Sequence, residues 1–200
     1  MTNSRVSQIA AAVWSVSDFL RSGFKQSQYG RVLLPFVLLR RIECILEENK
    51  TGFLNEAKEI TAKGWPEDVI EECLLDINGE IPFFNLSPFN LSNLDQKNIK
   101  PSLQKYIRSF SKNIREIFDH FRFDEFIGLL SNANLLSGMV RQFATLDLSP
   151  KTISNNDMGL VFDELVRRFA ESSNETAGEH FTPKDIVKNI QFLKPVSGFR

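Results

Sequence analysis

Apolar residues return every three or four positions through most of this chain, a spacing that a helix gathers into one continuous face. Val6, Ile9, Ala10, Val13, Val16 and Leu20 form the first such stripe, predicting a helix over about residues 4–20 that ends near Gly23. Residues 27–49 form a second helical segment with a dense apolar run at 32–39. Pro35 inside it predicts a kink, or a helix that starts near it. The expected fold is therefore mainly α, a helical bundle, and 18 Phe supply ample bulk for its core.

Residues 50–98 are less regular. Residues 53–62 read as a short helix. Gly64, Trp65 and Pro66 read as the start of another, with Pro66 at its first position and Val69, Ile70, Cys73 and Leu74 facing inward. From 79 to 94 turn formers mix with aromatics, Phe83, Phe84 and Phe89 among them. This predicts a loop with a short β-hairpin, serving either as a cap on the core or as an apolar surface for another subunit. Arg40 and Arg41 read as solvated or paired with Glu43, Glu47 and Glu48, or else as a basic contact for DNA or a partner.

The clearest helix is expected at residues 101–121. Leu103, Ile107, Phe110, Ile114, Ile117, Phe118 and Phe121 share one side, and Lys105, Arg108, Lys112 and Arg115 form a narrow stripe on the other. That basic stripe is either a solvated face or a track for DNA phosphates or a partner's acidic surface. His120 belongs to the last turn of that helix. Two further helices follow at 123–130 and 135–143, split by Asn132, Ala133 and Asn134. Asn155 or Asn156 caps a last one over 158–170. Its inward stripe is Leu160 or Val161, then Leu165, Val166 and Phe169, and Asp163 and Glu164 are spaced to pair with Arg167 and Arg168.

A different kind of element follows. Gly178, Glu179, His180, Phe181, Thr182 and Pro183 form a loop that opens another helix. Thr182 suits the N-cap, Pro183 the first position and Asp185 the third, ahead of the apolar positions Ile186, Val187, Ile190 and Leu193. A purely structural cap accounts for this pattern, and so does a loop whose free amides receive an anionic ligand group.

Composition narrows the classes. The formal net charge is −1, from 24 Lys and Arg against 25 Asp and Glu, so any DNA contact needs a local basic face or a partner subunit. Cys44 and Cys73 lie in apolar helical patterns outside any CxxC motif and read as reduced, buried thiols of a cytoplasmic protein. The two histidines are far apart, which argues against a metal site, and no run of apolar residues is long enough to span a membrane.

Several stretches carry a resemblance to a known family. They are the run from Met158 to Ala170 followed by that from Asn174 to Pro183, then Tyr29 to Arg41, Asn113 to Asp119, and Leu148-Ser149-Pro150. In these the chain resembles the modification (methyltransferase) subunit of type I restriction–modification systems, the adenine-N6 DNA methyltransferases. Essentially the whole chain is covered, and the Gly-Glu-x-Phe-Thr-Pro element is its most specific part.

The resemblance implies an N-terminal helical domain over 1–150, then the last helices and the start of a truncated α/β methyltransferase core over 151–200. It implies that Gly178, Glu179, His180, Phe181, Thr182 and Pro183 line an S-adenosylmethionine pocket, with Thr182 at the methionine end. It further implies double-stranded DNA, a specificity subunit, a restriction subunit and a second modification subunit as partners. The family's Gly-rich cofactor loop and its Asn/Asp-Pro-Pro-aromatic motif for the flipped adenine do not occur among the 200 residues. The chain is accordingly expected to be an N-terminal piece that does not transfer methyl groups alone, with no catalytic residue before Arg200. A non-enzymatic helical module that binds protein or DNA is the alternative.

Overall fold

The computed structural model describes residues 2–172. Among them are nine α-helices and no strand: α1 (Thr2–Val16), α2 (Tyr29–Leu46), α3 (Lys50–Thr61), α4 (Glu67–Ile77), α5 (Ile99–Arg108), α6 (Lys112–His120), α7 (Phe123–Asn132), α8 (Leu136–Ala144) and α9 (Asn155–Ser172).

α2 is the hub. Its run 32–39 is apolar on every side, and 13 of its 18 residues are buried, which suits a helix surrounded by others rather than one lying on a surface. It meets α1, α7, α8 and α9. The helix runs through Pro35, which lies within its second turn. Phenylalanines knit the packing: Phe36 stacks on Phe143 at 5.1 Å and meets Phe123 edge-on at 4.9 Å, and Phe118 stacks on Phe123 at 5.5 Å.

α1 carries the expected stripe inward, with Val6, Ala10, Val13 and Val16 buried, and a 3-10 turn (Ser17–Leu20) finishes the run with Leu20 buried. α9 packs along α1 and α2. Phe169 rests 5.2 Å from Trp14, and a Cβ on Gly30 would sit 3.3 Å from Phe169, so a small residue there admits the close approach of α2 and α9. Val161 and Leu165 are fully buried, whereas Leu160 is exposed, which selects between the two inward positions the periodicity allowed. The cap of α9 is Ser154, whose hydroxyl accepts the Asp157 amide at 3.1 Å and donates to the Asp157 carboxylate at 2.9 Å. Asn155 is thereby left for other work.

α3 and α4 form a hairpin over a small separate cluster of Phe53, Ala57, Leu74 and Phe84. Val69, expected inside, is 38% exposed, because α4 turns Ile70 and Leu74 to the cluster and leaves Val69 on its outer flank. Asn134 takes a left-handed conformation (φ 57°), which asparagine tolerates, and there the chain turns from α7 into α8.

Two expectations for the middle of the chain are overturned. The helix foreseen over 101–121 is two helices, and the hairpin foreseen in 79–94 is absent. Both changes have one cause. The segment between α5 and α6 leaves helical geometry at Ser109, and Asn85 forms an isolated antiparallel bridge with Phe110. The Leu86 amide donates to the Ser109 carbonyl at 2.9 Å, and the Ser111 amide donates to the Phe84 carbonyl at 3.0 Å. The fully buried Ser111 hydroxyl accepts the Phe84 amide at 3.2 Å. The loop's backbone groups thus find partners in the break between two helices rather than in a strand of their own.

Candidate functional site

The break at 109–111 divides the four basic residues into two pairs. Lys105 and Arg108 lie on the last turns of α5, exposed to solvent. Lys112 and Arg115 lie on α6, across a cleft of about 700 Å³ from Glu67, Asp68 and Glu71 of α4, with Glu116 and Asp119 beside them. The Lys112 amide donates to Glu71 at 2.6 Å, and its ammonium stands 4.0 Å from Glu116. Ion pairs this exposed contribute less than about 1 kcal/mol each. Five carboxylates against two cations give this cleft an acidic balance, whereas α5 carries Lys100, Lys105 and Arg108 and no acid. A phosphate backbone would find its attraction on α5.

Two charged groups that periodicity placed near solvent are interior. Glu43 is 3% exposed. Its carboxylate pairs with Arg40 and accepts the Tyr106 hydroxyl at 2.9 Å and the Leu91 amide at 2.6 Å. It thereby joins α2, α5 and the long loop in one buried hydrogen-bond network. Burial, and then the Glu43 charge, raise the Tyr106 hydroxyl well above its ordinary value. Beside them is a recess of about 10 Å³ lined by Glu43, Lys50, Asn78, Asn85 and Tyr106, room for about one water and far too small for a nucleoside.

Arg41 is fully buried, which corrects the expectation that it is solvated or paired with a glutamate. Its guanidinium donates to the carbonyls of Leu148 and Ile153 and, at 2.6 Å, to Oδ1 of Asn155. All three acceptors are neutral, and burial lowers the Arg41 pKa. The sequence hinted at this only through the proximity of Arg41 to an apolar run; its partners are more than 100 positions away. Cys44 is a free, buried thiol one turn further along α2, and Cys73 is free and half-buried. Burial raises the Cys44 pKa, which keeps it a neutral, unreactive thiol.

The expected cofactor residues, Gly178, Glu179, His180, Phe181, Thr182 and Pro183, lie outside the described residues. Of two hollows among the described helices, the recess at Glu43 is too small for such a cofactor, and the cleft between α4 and α6 is lined by charged side chains alone. Among the described residues no group of His, Cys, Asp or Glu is arranged to hold a metal ion, and no helix is long and apolar enough to cross a membrane.

Neither a curated protein nor a solved structure matches the chain. The family model of the HsdM N-terminal domain matches residues 9–143, from within α1 to the penultimate residue of α8. The helical domain built around α2 thus coincides with a recognised methyltransferase-associated module, and the chain belongs to the HsdM N-terminal domain family, the N-terminal region of the modification subunit of type I restriction–modification systems.

Proposed function

We propose that this chain is part of a site-specific DNA adenine-N6 methyltransferase and that it contributes one segment of the S-adenosylmethionine pocket. One observation carries the reading: a helical domain of the HsdM type is followed, within the same chain, by the Gly-Glu-His-Phe-Thr-Pro element at 178–183. S-Adenosylmethionine supplies the methyl group when bound. Thr182 and the amides around it hold the methionine carboxylate, and Phe181 packs on the ligand or anchors the loop.

The helical domain supports assembly. Its partners are the specificity subunit, which selects the DNA sequence, duplex DNA itself, a second modification subunit and a restriction subunit, all in the cytoplasm. Methyl transfer requires an extruded adenine held by polar acceptors and aromatic stacking. The tetrapeptide for that task does not occur in these 200 residues, so this chain alone does not methylate DNA.

The test is direct binding of S-adenosylmethionine to the complete modification subunit, by calorimetry, with and without Thr182→Ala. Loss of one charge-assisted hydrogen bond predicts about a tenfold weaker affinity. Unchanged affinity would remove 178–183 from the pocket.

A further inference from the structure

The chain between α8 and α9 is held at one acceptor after another by arginines from two other helices. Arg40 donates to the Leu146 carbonyl at 2.8 Å, Arg41 to the carbonyls of Leu148 and Ile153, and Arg5 of α1 to the Thr152 carbonyl at 2.8 Å. Arg41 also reaches Oδ1 of Asn155, the first residue of α9, at 2.6 Å. Its three acceptors are neutral, and its buried Nε has no hydrogen-bond partner. Burying a cation without an anion is costly, and only well-aimed bonds offset the cost. What those bonds supply that apolar packing does not is direction, because the planar fork of Nη1 and Nη2 fixes where its acceptors lie.

α9 needs that direction. At about 100° per residue, its apolar positions from Val161 through Phe162 and Val166 to Ala170 cover about half of its circumference. The face it buries is narrower: Val161, Phe162, Leu165 and Phe169 are buried, Val166 is half-buried and Ala170 is exposed. Turning the helix by about 40° would bury Val166 in place of Val161, one valine for another, at little change in apolar area. Apolar burial alone therefore tolerates more than one rotation. Asn155 lies on the flank that carries Phe162 and Val166, at i+7 and i+11, so a bond to Asn155 holds that flank in place.

We propose that Arg41 is a positioning residue: with Asn155 it sets the rotation of α9 against α1 and α2, and so the side of α9 from which the chain continues past Ser172. This role does not depend on what the rest of the chain binds.

Trp14 reports the rotation, since its ring lies 5.2 Å from Phe169, about four turns along α9 from Asn155. The test uses the 200-residue chain with Trp65→Phe, which leaves Trp14 as its one tryptophan. To it are added, singly, Arg41→Met, Asn155→Leu, Asn155→Asp and, as a control, Leu103→Ala, which opens a cavity on α5, a helix packed on α7 and α8. Helix content is read by far-UV circular dichroism, and the setting of Trp14 by its near-UV band and by acrylamide quenching. Arg41→Met and Asn155→Leu are expected to keep their helix content, to shift the Trp14 band and to raise its quenching constant about twofold, as the contact with Phe169 is lost. Asn155→Asp offers the guanidinium a carboxylate and is expected to keep the unaltered signal, as is Leu103→Ala. If Arg41→Met does not fold, the two Asn155 variants decide the matter. An unaltered Trp14 signal in Asn155→Leu would show that packing alone sets the rotation. An equal change in Leu103→Ala would show that the signal follows stability. Either result overturns the proposal.

Discussion

Nη2 of Arg41 donates to Oδ1 of Asn155 at 2.6 Å, joining the middle of α2 to the first residue of α9 across 114 positions of sequence. Two main-chain carbonyls, of Leu148 and Ile153, complete the grip. Arg41→Met would keep much of the buried volume and leave those carbonyls without a donor. Orphaned buried acceptors cost about 1–3 kcal/mol each, offset by relief from burying a charge with no anion beside it. The expected net loss is about 2 kcal/mol by urea denaturation, with about 1 kcal/mol for Asn155→Ala. Unchanged midpoints in both would show that the grip adds nothing to stability.

The matched family region ends at residue 143, yet α9 contributes Met158, Val161, Phe162, Leu165 and Phe169 to the main core. At about 1.5–3 kcal/mol for each fully buried side chain, these are comparable to the whole margin of a typical domain, about 5–15 kcal/mol. A chain cut after Pro150 is expected to lose its cooperative thermal transition, while one cut after Ser172 keeps it. Cooperative melting of the shorter chain would support the boundary at residue 150 that the resemblance implies.

Tyr106 gives a pH signature. Burial and the neighbouring Glu43 charge hold its hydroxyl above the ordinary tyrosine value of about 10, so the unfolded chain releases that proton first. The associated stability is complete below about pH 10 and is lost as pH rises through the folded-state value. Tyr106→Phe is expected to lower stability at neutral pH by about 1 kcal/mol and to flatten its decline above pH 10. Urea midpoints measured from pH 8 to 11 test this; parallel declines in the two proteins would contradict it.

Much of the helical architecture is legible in the sequence, because a buried helical face leaves a local, periodic record. The stripe of α1, the split of α7 from α8 at Asn134 and the inward face of α9 all follow from residues within a few turns of one another. The break between α5 and α6 is not legible in that way. Leu103, Ile107, Phe110, Ile114 and Phe118 keep helical spacing straight through it, and its cause is a backbone pairing with residues 84–86. The same holds for Arg41 and Glu43, whose charges are tolerated inside only because of partners from distant segments. For the candidate sites, the residues were nameable but their company was not: Lys105 and Arg108 face solvent, while Lys112 and Arg115 face the carboxylates of α4.

The most direct measurement is the product itself. The complete modification subunit and the specificity subunit would be incubated with S-adenosylmethionine and cognate DNA, and the digested nucleosides resolved by mass spectrometry. The account predicts N6-methyladenine from the complex and none from the 200-residue chain supplied alone. A methylated cytosine, or methylation by the isolated chain, would contradict it.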